Sequence, residues 1–181
     1  MLSQKGQEAA PFELLIAVIT MTFVIVVGLN AMSTLLRAQC EGKIDQNMEE
    51  LKTALETVAK GEGKKTVAYD MPSCFNQNDS SLRIVSRDDR ATCSFHCGGL
   101  RYECTLLLFS SPDFSSIKCL NISSATDFPS ATVCHDFDDQ PTEFKVKEWK
   151  KDEAIEPGQY TLIKQFHLFS PQPRICVYKR V

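Results

Sequence analysis

Leu14-Leu-Ile-Ala-Val-Ile-Thr-Met-Thr-Phe-Val-Ile-Val-Val-Gly-Leu29 is almost purely apolar, and no charged residue occurs from Leu14 to Leu36. As a helix rising about 1.5 Å per residue, the uncharged stretch spans about 34 Å, enough to cross the hydrocarbon core of a bilayer. It is longer than the apolar core of a cleaved secretory signal, which runs to about 7–15 residues. Most of the rest of the chain is polar and charged, with only short apolar runs. The sequence therefore predicts one membrane segment.

Downstream of Arg37 the pattern changes from uniformly apolar to amphipathic. Ile44, Met48, Leu51, Leu55 and Val58 recur at alternating steps of four and three, one stripe on a helix, while Glu41, Asp45, Glu49, Lys52, Glu56 and Lys60 occupy much of the remainder. Pro11 suits a first helical turn, and Gly61 and Gly63 end the pattern. The economical reading is one continuous helix from about Pro11 to Lys60, roughly 75 Å long at 1.5 Å per residue. After Lys65 the chain reads as β, with strand candidates at Thr66–Tyr69, Leu82–Ser86, Leu100–Phe109, Ile117–Ile122, Glu143–Lys147, Tyr160–Phe169 and Arg174–Tyr178. Leu100–Phe109 with Ile117–Ile122, and Tyr160–Phe169 with Arg174–Tyr178, form expected hairpins. The expected fold class is α+β: a long N-terminal helix whose amphipathic half packs on an antiparallel β-sheet head.

The 181 residues suit one compact domain plus an appendage, and the net charge of −3 with a pI near 5.6 argues against a nucleic-acid partner. Lys5 precedes the apolar segment and Arg37 and Lys43 follow it, so basic residues do not decide orientation. The cysteines do. All eight, Cys40, Cys74, Cys93, Cys97, Cys104, Cys119, Cys134 and Cys176, follow the apolar segment. An even number behind a membrane segment reads as a disulfide framework made in an oxidising compartment, with the C-terminal part outside the cytoplasm. Cys40 falls on the amphipathic stripe one turn before Ile44 and is expected to bond a cysteine of the head. Asn78-Asp-Ser80 and Asn121-Ile-Ser123 are possible glycosylation sequons in that setting.

The cluster Cys93-Ser-Phe-His96-Cys97…Cys104 lacks the paired two-residue spacing of a zinc site, and Cys93 and Cys97 are one residue too far apart for a thioredoxin-like redox pair. His96, His135 and His167 are scattered without a serine or aspartate constellation. Asp136, Asp138 and Asp139 beside Cys134-His135 lack the spaced oxygens and tight glycine turn of a calcium loop. No glycine-rich phosphate loop occurs. The expectation is no active site, no metal and no cofactor.

Lys5-Gly6-Gln7, followed by Glu8-Ala9-Ala10-Pro11-Phe12-Glu13 and the apolar helix, resembles the class III signal sequence of archaeal type IV pilin-like proteins. The resemblance covers about the first third of the chain. It implies that a membrane-bound prepilin peptidase cuts between Gly6 and Gln7 and leaves the helix on the mature protein. It also implies that a glutamate near the new terminus neutralises a neighbouring N-terminal amine during assembly. Glu13 is the candidate for that role, at the seventh mature position where the family usually carries the fifth. The expected organisation is a leader over residues 1–6, an apolar transmembrane or filament-core helix over 7–36, its amphipathic continuation over 37–63 and a cysteine-rich extracellular β head over 64–181. The expected function is that of a structural subunit of a pilus-like surface filament. The expected partners are the prepilin peptidase, the membrane and further copies of the chain. The rival expectation is a non-polymerising, single-pass anchored extracellular binding protein.

Overall fold

The computed structural model describes residues 10–61, 63–76, 78–134, 143–165 and 172–181. The leader, Gly6, Gln7, the His135–Asp139 knot and His167 lie outside them. The chain divides into two compact units, Met1–Cys40 and Glu41–Val181. One helix, α1, runs from Ala10 to Ala59, within one residue of the expected span at either end. Pro11 lies in its first turn, Gly28 and Gly42 are the only glycines within it, and Gly61 ends it with a positive φ of 89° while its N–H donates to the Val58 carbonyl. The Lys164 ammonium donates to the Ala59 carbonyl at 2.5 Å, placing a cation where the helix leaves unpaired acceptors.

In the second unit, residues 41–59 of α1 form the spine of the core. Ile44, Met48, Leu51, Leu55 and Val58 are all fully buried, so the stripe read from the sequence is the packed face. Burying one such side chain contributes roughly 1.5–3 kcal/mol before entropy is counted. The rest of the unit runs in the order β1 (Lys64–Tyr69), β2 (Ser81–Arg87), α2 (Arg90–Cys97), β3 (Cys104–Ser110), β4 (Ser115–Leu120), β5 (Phe144–Val146), β6 (Ala154–Ile155), β7 (Gly158–Gln165) and β8 (Arg174–Arg180). The strands make two antiparallel sheets, in the orders β1-β7-β8-β5 and β4-β3-β2-β6.

Both expected hairpins are present: Leu107 stands opposite Lys118, and Leu162 opposite Val177. Alternation along the strands gives each sheet two apolar faces. Leu82, Ile84, Leu107 and Phe109 of one sheet, and Val67, Tyr69, Tyr160, Leu162, Ile175 and Val177 of the other, join the α1 stripe in one core. On the outer faces, Leu106 packs with Cys93 and Cys104, and Tyr178 packs with Cys134 and Cys176.

Polar contacts fix α1 against the edge of the β3-β4 hairpin. The Lys118 ammonium lies 2.8 Å from Asp45 Oδ1 and 2.9 Å from Oδ2, and the Ser116 hydroxyl donates to Asp45 Oδ1 at 3.1 Å. The Lys118 hydrogen bond, aided by Ser116, holds the Asp45 carboxyl below the usual carboxylate range against the opposing effect of burial. Glu56 accepts the Asn121 N–H at 2.8 Å, and Asn47 donates to the Asp70 carbonyl at 2.6 Å.

The fold departs from the expectation in three places. Two sheets replace one, because β1 pairs with β7 rather than with its neighbour β2. The expected strand at Leu100 begins only at Cys104, because Gly98 and Gly99, at φ 69° and 70°, turn the chain back out of α2. The helix α2 itself, and the two-residue β6, carry no strand-like or helix-like run in the sequence.

Candidate functional site

The residues 12–36 of α1 are exposed throughout, and the helix is long and apolar enough to cross a membrane. Glu13 sits exposed in its first turn, where a carboxylate complements the unpaired N–H groups. The hydroxyls in this stretch are satisfied within the helix. Thr20 donates to the Ile16 carbonyl at 2.9 Å, Thr22 to that of Val18, and Ser33 and Thr34 to that of Asn30 at 2.9 and 3.0 Å. Such back-bonding hides polar atoms from hydrocarbon. The apolar exposure of this face is consistent with membrane anchoring.

All eight sequence-predicted cysteines are oxidised. Cys93 bonds Cys104, Cys97 bonds Cys119, and Cys134 bonds Cys176, while Cys40 and Cys74 are disulfide-bonded as well. Thiolate zinc ligation and dithiol redox chemistry both need reduced sulfur at Cys93 and Cys97, and here each sulfur is committed to a strand. Among the described residues no group of three or more His, Cys, Asp and Glu is placed to hold a metal ion. His96 is edge-on to Phe95 with ring centroids 4.9 Å apart.

The disulfides build a surface that the sequence reading did not single out. Asp89 caps α2 by accepting the Thr92 N–H at 2.8 Å, which keeps its carboxyl below the usual range. Two sulfur bridges pin one face of the helix to β3 and β4, and the opposite face points out. Phe95, Leu100 and Tyr102 are 83%, 76% and 65% exposed, and the Arg90 guanidinium lies over the Tyr102 ring at 5.5 Å. Beside α2 a groove of about 430 Å³ has Val85, Leu106, Leu108 and Ile117 for its floor, with Arg87 and Asp88 at its rim. An apolar floor with a charged rim suits a contact with another molecule. The signal that could have found this surface is the spacing of Cys93 and Cys97, one helical turn apart, between Asp89 and Gly98.

Both sequon asparagines are exposed. The Asn78 N–H donates to Asn76 Oδ1 at 3.0 Å in a turn, and Asn121 Oδ1 accepts from Arg101 at 3.4 Å. Ser80 of the first sequon is buried, whereas Ser123 of the second is exposed, so Asn121-Ile-Ser123 is the more accessible triplet on the folded chain.

No family model, no curated protein and no solved structure matches the chain. Its architecture, a long apolar-to-amphipathic helix joined to a disulfide-rich β head, fits a pilin-like layout.

Proposed function

We propose that this chain is a structural subunit of an archaeal type IV pilus-like surface filament, serving adhesion or surface attachment. The observation that carries the reading is the two-part helix Ala10–Ala59. Its first part is apolar and exposed, and its second part is buried as the spine of a disulfide-tied head. A prepilin peptidase removes the leader between Gly6 and Gln7. The apolar helix then leaves the bilayer and packs against copies of itself, exchanging lipid contacts for helix contacts without meeting water. The head lies outside the cytoplasm, where its disulfides persist, and forms the filament surface. Its role is mechanical, with no catalysis, no cofactor and no nucleic acid.

A second reading is a non-polymerising anchored binding protein with an extracellular head. The exposed Phe95, Leu100 and Tyr102 patch favours it, since a rigid aromatic surface is a ready contact for another molecule. Intact-mass measurement of native protein together with electron microscopy separates the two. A chain beginning at Gln7 and thin filaments on producing cells support the subunit. An intact Met1 terminus and bare cells overturn it.

A further inference from the structure

We infer that in the membrane two copies of this chain pair in parallel through Asn30, carboxamide to carboxamide. The inference rests on the membrane-spanning part of the reading above and not on filament formation. Five side chains in the uncharged stretch 14–36 carry hydrogen-bonding groups: Thr20, Thr22, Asn30, Ser33 and Thr34. The four hydroxyls donate to carbonyls of their own helix. The Asn30 carboxamide is exposed and has no hydrogen-bond partner among the described residues.

Its depth makes that exposure costly. The stretch is centred at Ile25, and Asn30 lies five residues on, about 7.5 Å along the axis and well within a hydrocarbon half-thickness of about 15 Å. Lipid chains offer neither donor nor acceptor there. A carboxamide has both, so it is complementary to itself. Copies inserted in the same direction carry Asn30 at the same depth, and each can donate to the other's carbonyl oxygen. A second copy is thus the partner that satisfies the group without any other protein.

The surroundings fit a two-helix seam. Ile16, Phe23 and Asn30 are spaced by seven residues, and Ile19, Val26 and Ser33 repeat the same spacing three residues on. These are the a and d positions of a left-handed pair. A single asparagine at an a position sets register and favours two strands, and the small Ser33 beside it allows close approach.

The test is cross-linking of full-length protein in native membranes. All eight native cysteines are bonded, so one added cysteine is the free thiol. With Val26→Cys, a mild oxidant should yield a disulfide-linked dimer. With Ile25→Cys, about 100° from Val26 and about 140° from Asn30 round the helix, it should yield little. Adding Asn30→Leu to Val26→Cys should weaken dimerisation about three- to tenfold, and Asn30→Gln should restore most of it. Equal cross-linking from Ile25 and Val26, or no loss with Asn30→Leu, overturns the Asn30 pair while leaving the anchor intact. Release of the protein by an alkaline wash of the membranes overturns the anchor itself, and the pair with it.

Discussion

Cys93 and Cys97 stand one turn apart on α2, and each is bonded to a different strand of the same sheet: Cys93 to Cys104 of β3, and Cys97 to Cys119 of β4. An eight-residue helix has too few hydrogen bonds to persist alone, so the two bridges hold what local propensity does not. Peptide mapping without reduction should recover these two links and Cys134–Cys176, with no alkylatable thiol and no bound zinc in native protein. Replacing Cys97 and Cys119 together by serine opens a link of sequence separation 22 and should cost about 3 kcal/mol in the chain-entropy account. Thermal unfolding of the oxidised variant measures it.

Leu51 is fully buried at the centre of the α1 stripe. Leu51→Ala should destabilise the head by about 2–5 kcal/mol, since the cavity lies between two sheets that cannot both relax into it. Val24→Ala, at an exposed position of the apolar part, should leave head unfolding unchanged. Denaturant titration of the full chain in detergent compares them. Equal midpoints for the two variants would contradict the role of residues 41–59 as the spine.

Glu156 bridges Lys179 at 2.7 Å and Lys147 at 2.9 Å, and these two ammonium groups pull its carboxyl down to about 2 from an ordinary 4.5. A lowered folded value stabilises above the unfolded value and loses that stabilisation as pH falls through the folded one. Glu156 is half exposed, so solvent screening limits the effect to at most about 1 kcal/mol at neutral pH. Glu156→Gln should therefore be less stable than the parent at pH 7, and the gap should close between pH 4.5 and pH 2. Melting temperatures across that window give the answer.

For assembly, Val24→Asp places a charge near the middle of the uncharged stretch, at about 2.5–3.5 kcal/mol on insertion scales. It should abolish filaments while any exported head stays folded. Glu13→Gln keeps shape and removes charge, and should be exported and processed but poorly assembled. Normal filaments from Glu13→Gln, seen by electron microscopy, would show that the family role does not extend to the seventh mature position.

Phe95 and Tyr102 are exposed enough that Phe95→Ser with Tyr102→Ser should change stability by no more than about 0.5 kcal/mol per site. The pair should lower the binding of a hydrophobic dye to the native head. If the double variant unfolds instead, the patch is a structural element rather than a surface open to partners.

How far the fold was legible depends on how local its causes are. The helix, its end at Gly61 and its buried stripe follow from spacing within a few turns, and Ile44, Met48, Leu51, Leu55 and Val58 are where the period placed them. The two hairpins were legible for the same reason, since in each the paired strands follow one another directly in the chain. The division into two sheets was not, because it depends on Val67 meeting Tyr160 far along the chain. The helix α2 was missed because Thr92, Cys93, Ser94, Phe95 and His96 are all weak helix formers, and only bridges to β3 and β4 make the helix the stable choice. The Phe95 surface followed α2 out of sight. The expected leader over residues 1–6 lies outside the described residues and rests on the sequence alone.

The last element in chain order, β8, is an inner strand, flanked by β7 and β5. During synthesis the apolar stretch of α1 emerges before any of the strands, and the sheet that needs β8 must wait until residue 180 has followed. Cys134 likewise has no native partner until Cys176 appears. The head therefore cannot close, nor its Cys134–Cys176 bridge form, until β8 has been made. A chain interrupted short of β8 would carry an open sheet edge and an unpaired thiol at Cys134, both open to wrong pairing.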